Sequence, residues 1–135
     1  MSDRSRERWT YDDEGDTLDV YFEGFAGERP VWTLELTDNI TISIERATRR
    51  ALALGFLDFK RLVRRTPFGP RSFPVTGLAD LPLAERDLVL EVLGCEPVRH
   101  WLDISTVEQL PDSPFAVTHL APLPGELARL VATSA

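Results

Sequence analysis

A chain of 135 residues, 43% apolar and 27% charged, is the size of one ordinary domain and can bury roughly 65–70% of its unfolded surface without metals or disulfides. Its net charge of −7 argues against general binding of DNA or RNA, whose affinity rests on cations that neutralise phosphates. The single cysteine, Cys95, excludes an internal disulfide and fits a reducing, cytoplasmic setting, and no apolar run reaches the ~20 residues needed to span a bilayer.

In chain order, residues 1–8 are polar with alternating charge and read as a frayed terminus without a secretory apolar segment. Trp9 and Tyr11, then Leu18, Val20 and Phe22, recur with period two, the mark of strands with one face toward a core. The acidic run Asp12, Asp13, Glu14, Gly15 and Asp16 between them is turn chemistry, so the first two strands predict a hairpin. A glycine- and proline-bearing connection over 24–30 leads to a third strand over 31–36. Thr37, Asp38 and Asn39 break that strand, and Ile40, Ile42 and Ile44 then alternate with Thr41, Ser43 and Glu45 in the clearest strand of the chain. A turn over 46–50 precedes a fifth strand over 51–56. Phe56, Leu57, Phe59, Leu62 and Val63 change to helical spacing, with Asp58 early and Lys60, Arg61, Arg64 and Arg65 late, as a helix dipole favours.

The composition then shifts. Residues 66–77 hold three prolines and two glycines and can sustain neither helix nor regular strand. Residues 82–93 predict a helix that Pro82 opens and Gly94 closes, apolar on more than one side and so broadly covered. Val98, His100, Leu102 and Ile104 alternate as a further strand. After turn residues over 110–114 a returning strand covers 115–120, and a short helix covers 125–132. The fold class is α+β. An antiparallel meander of about five strands with a packed helix fills 9–65, a connector 66–80, and a helix–strand–strand–helix extension packs on it over 81–135.

Three segments of the first half carry a resemblance. Tyr11, Asp12, Glu14, Asp16, Leu18, Tyr21 and Phe22 spell YDxExDxLxxYF, residues 36–44 read LTDNITISI, and residues 54–62 read LGFLDFKRL. Together, over about 9–63, they resemble the small bacterial domain-of-unknown-function 2283 family. Asp13 stands where that family usually has proline, and Gly15 where it often has alanine. The resemblance implies a small β-meander with a helix, and it brings no activity and no catalytic residues. Residues 66–135 lie outside it.

Each candidate chemistry has a plainer alternative. The acidic cluster at Asp12, Asp13, Glu14, Asp16 and Asp19 could hold a hard cation, but its spacing is not that of an EF-hand and Asp19 should face away from the turn. A solvated turn explains it better. Arg46, Arg49, Arg50, Lys60, Arg61, Arg64 and Arg65 could form an anion patch if the turn and the helix that carry them meet in space. Cys95, His100 and His119 lack the close-spaced pairs of a zinc site. No GxSxG, GxGxxG or GxxxxGK[ST] motif is present, so no catalytic residue, metal or cofactor is assigned. Phe68, Phe73, Leu83, Leu90 and Leu93 are the candidate interface: aromatics of a proline-rich loop and apolar positions of the helix over 82–93. The sequence therefore points first to a non-enzymatic protein-interaction module, self-assembling with a dimer favoured, or bound to a protein partner. Two alternatives are an antitoxin-like factor that neutralises a basic partner through the acidic second half and a small metal-dependent hydrolase. Up to Arg65 there are 11 basic and 13 acidic residues, and after it 4 and 9. An acidic second half suits a basic partner.

Overall fold

The acidic turn after Tyr11 closes a hairpin between β1 (Arg8–Asp12) and β2 (Thr17–Tyr21), in which Trp9 lies opposite Val20 and Tyr11 opposite Leu18. Asp12 supports the turn by accepting the Glu14 N–H at 3.1 Å, and Asp16 closes it with a left-handed φ of 52°. The computed structural model describes residues 7–22, 31–64, 67, 69, 71–79, 81–106 and 116–133. Of the terminus expected to fray, residues 7 and 8 are instead placed: Arg8 begins β1, and the Glu7 side chain is nearly buried. Residues 1–6 lie outside the described residues.

β3 (Trp32–Thr37), β4 (Ile40–Glu45) and β5 (Arg50–Leu57) follow as an antiparallel meander. β5 then pairs with β2, so the sheet runs β1-β2-β5-β4-β3 and the chain enters it in two blocks rather than as one continuous meander. Continuity of the apolar face accounts for that order. Trp9, Val20, Leu54, Ile42 and Leu34 form one row across all five strands, and Tyr11, Leu18, Phe56 and Ile40 form a second. The opposite face carries Thr10, Asp19, Gly55, Thr41 and Glu35 in a matching polar row. Bulges in the β3–β4 and β4–β5 ladders turn Leu36 and Thr37, and then Ala51 and Leu52, inward together.

α1 (Phe59–Val63) is one short turn beyond β5 and buries Phe59 and Leu62. β6 (Phe73–Pro74) and a 3₁₀ turn at Thr76–Leu78 break up the proline-rich connector. Gly77 in that turn lies so close to β3 that a Cβ would stand 1.7 Å from the Glu35 carbonyl oxygen. Here the absence of a side chain is required by the approach of two backbones. α2 (Leu83–Leu93) starts one residue later than the sequence suggests, because Pro82 holds an extended ψ of 151° and flanks the helix instead of joining it. Arg86 fastens the segment before α2, donating to the carbonyls of Leu78, Ala79 and Leu81.

The alternation from Val98 to Ile104 does not form a single strand. Val98–His100 is a 3₁₀ turn, and β7 spans Leu102–Thr106. β7 pairs with β8 (Ala116–Leu120), and β8 with β6, in a separate sheet of order β6-β8-β7. The second half thus does not lengthen the first sheet. α3 (Gly125–Thr133) ends the described chain and buries Leu127. One apolar cluster joins the two halves: Leu18, Ile40, Ile42, Phe56 and Phe59 belong to it together with Leu78, Val89, Leu93, Trp101 and Leu102. Among the described residues, no helix is long and apolar enough to cross a membrane.

Candidate functional site

The three sequence motifs converge at one corner of the first sheet. The Asp16 carboxylate accepts the Tyr11 hydroxyl at 2.6 Å and the backbone N–H of Lys60, 3.1 Å from each oxygen, while its own carbonyl accepts the Phe59 N–H at 3.0 Å. Asn39 spans the other side, donating from its side chain to the Leu57 carbonyl and to Asp58, each at 3.2 Å. Asp58 enters α1 in the left-handed region, with φ 53°. These groups are spent on one another and on orphan backbone donors at the start of α1. The corner is therefore a clamp that seats α1 on the sheet. No group of three or more metal-capable side chains occurs among the described residues.

The candidate cations divide into two groups. Arg46, Arg49 and Arg50 lie at the β4–β5 turn, whereas Lys60, Arg61 and Arg64 lie on or just after α1. The eight residues of β5 separate them, about 26 Å of extended chain. Arg46 pairs with Glu85 on α2 and stands 4.5 Å over the Trp32 ring, Arg49 meets Glu91 at 2.5 Å, and Lys60 meets Asp13 at 3.5 Å. Arg50, Arg61 and Arg64 are exposed. Arg65 lies outside the described residues. One gathered patch is thus replaced by a turn engaged with α2 and a separate helix end.

The candidate interface residues divide in a similar way. Leu93 is fully buried in the core and cannot meet a partner, while Leu90 and Phe73 are half-buried against the same core. Leu83 is 67% exposed, the most exposed large apolar side chain among the described residues. Phe68 lies outside the described residues. Val31, Leu57 and Leu130 are also exposed, and period-two or helical spacing alone gave no sign of them. Val31, Trp32, Glu45, Arg46 and Ala47 line a cleft of about 500 Å³ at the β3 edge of the sheet. Because Arg46 also pairs with Glu85, the first turn of α2, which carries Leu83, is tied to the lip of this cleft.

The two histidines lie apart. His100 Nδ1 meets Glu7, whose other oxygen accepts the Trp101 indole N–H at 3.0 Å. Among the described residues, His100 Nε2 is buried without a hydrogen-bond partner, 3.9 Å from Glu96. This cluster ties the start of β1 to the 3₁₀ turn before β7 and was invisible in sequence, because Glu7 and His100 are 93 residues apart. His119 Nε2 meets Asp103 at 3.2 Å across the β7–β8 pair. His119 also borders a second cleft, of about 540 Å³, formed by α1, the end of β8 and α3. Cys95 is exposed. In comparisons with known proteins, the chain matches no family model, no curated protein and no solved structure.

Proposed function

We propose that this protein is a protein-interaction module that works by pairing with a second copy of itself through the β3 edge of its five-stranded sheet. The observation that carries this reading is the cleft at the β3 edge, lined by the exposed Val31 and Ala47 and by Trp32, with the 67%-exposed Leu83 in the α2 turn whose Glu85 pairs with Arg46 at its lip. An apolar cleft with an aromatic wall and a charged rim is typical of an interface. β3 is the last strand of its sheet, and Gly77 approaches it at Glu35 and Leu36. Among the described residues no strand pairs with the outer edge over 32–34. An antiparallel edge can pair with its own copy about a two-fold axis, the commonest symmetry of soluble dimers. The lone exposed thiol of Cys95 suits work in a reducing, cytoplasmic setting.

Light scattering on the purified chain across the micromolar range tests the proposal. The wild type is expected as a dimer, and Leu83→Lys as a folded monomer that unfolds cooperatively at a temperature independent of concentration, since this exposed side chain contributes little to the monomer core. A wild-type monomer at every concentration, or a Leu83→Lys dimer as tight as wild type, would overturn it. A partner released steeply by salt would instead support contact through the acidic second half.

A further inference from the structure

We infer that the cleft between α1, the end of β8 and α3 is a binding site for a small monocarboxylate with an apolar body. This cleft shares none of its described lining residues with the cleft at the proposed dimer edge, and the inference does not depend on that edge. The cleft encloses about 540 Å³, within the usual range of small-molecule pockets, ~300–1,000 Å³. Leu62 and Val63 of α1 line it together with Leu120 and Leu123, and two polar side chains, Arg71 and His119, break the apolar lining. That combination, an apolar body with few convergent polar groups, is what orients a ligand in a pocket.

Arg71 is the anchor. It is half-buried, and its guanidinium stands 5.7 Å from the Phe73 ring, which steadies it while leaving N–H groups free to donate. No carboxylate pairs with it among the described residues, although the second half of the chain is acidic. Arg86, by contrast, is committed to three carbonyls. A guanidinium held at an apolar cleft with no counter-ion among the described residues favours an anion from solution, and its planar fork matches a carboxylate. His119 is held from behind by Asp103, 3.2 Å from Nε2, so its ring is fixed at the cleft rim with Nδ1 as the remaining polar atom. One guanidinium balances one negative charge. A doubly charged phosphate would call for more donors and would enter against the field of a chain of net charge −7.

Octanoate is the probe, titrated by calorimetry into the full-length wild type and into Arg71→Gln, with octanol and inorganic phosphate as controls. Octanoate should bind the wild type, bind Arg71→Gln about tenfold or more weakly, and bind more tightly than octanol. Thermal unfolding of the Arg71→Gln protein should match wild type, because Arg71 makes no ion pair within the described fold. A second variant, Leu123→Arg, should block the apolar part of the cleft and abolish binding. Absence of octanoate binding, equal affinity for wild type and Arg71→Gln, or equal affinity for octanoate and octanol would overturn the inference. Tighter binding of phosphate than of octanoate would overturn the ligand class.

Discussion

Asp16 occupies a left-handed backbone position and gathers the Tyr11 hydroxyl and the Lys60 N–H on one carboxylate. Asparagine tolerates the same backbone region and keeps the shape, but it loses the charge that strengthens both contacts. Asp16→Asn should therefore lower stability by about 1–3 kcal/mol, read as a lower urea midpoint with an unchanged slope. No change would mean that the carboxylate is idle and the corner is held by packing. The motif YDxExDxL thus carries a fold contact, the turn that seats α1 on the sheet. The Glu7–His100–Trp101 contact offered no comparable signal. Its partners are far apart in the chain, and burial of a glutamate is fixed by the tertiary fold rather than by local pattern. Arg71 was equally silent, because an arginine in a proline-rich stretch gives no indication of which wall it will lie against.

Among the elements, those with strong alternation were legible. Ile40, Ile42 and Ile44 do bury on one face of β4, and the hairpin, the helix at Leu83–Leu93 and the closing helix stand within a residue or two of their expected bounds. The alternation over residues 98–104 misled because a 3₁₀ turn also buries every second or third residue: Val98 and Trp101 are buried there before the strand begins. The split of the arginines was recoverable in principle, since a strand of eight residues must hold its two ends apart. The close contact of the Thr76–Leu78 turn with β3 gives a sharp test. A methyl group at residue 77 would stand 1.7 Å from the Glu35 oxygen, so Gly77→Ala must push the connector off the sheet. The expected cost is at least ~2 kcal/mol, measured by chemical unfolding. An unaltered midpoint would show that the turn can withdraw freely from β3.

At the scale of the whole molecule, one core binds the five-stranded sheet to the second half, and Glu7 adds a polar tie between the chain's first strand and the turn before β7. What the core leaves over is an apolar cleft at Val31 and Trp32, an exposed Leu83 on α2, and a second cleft holding Arg71 and His119. Neither cleft could be seen in the sequence as a site, because each joins residues from separate elements. On the polar outer face of the sheet, Thr33 and Ser43 are hydrogen-bonded to each other at 2.9 Å. Pairing of two copies along β3 is the claim on which the functional reading turns. Hydrogen–deuterium exchange at increasing protein concentration tests it residue by residue. If two copies pair there, exchange over residues 32–34 should slow as concentration rises while the amides of β4, already paired on both sides, stay constant. Exchange over residues 32–34 that is the same at every concentration, or protection that grows only along β1 or α3, would contradict it.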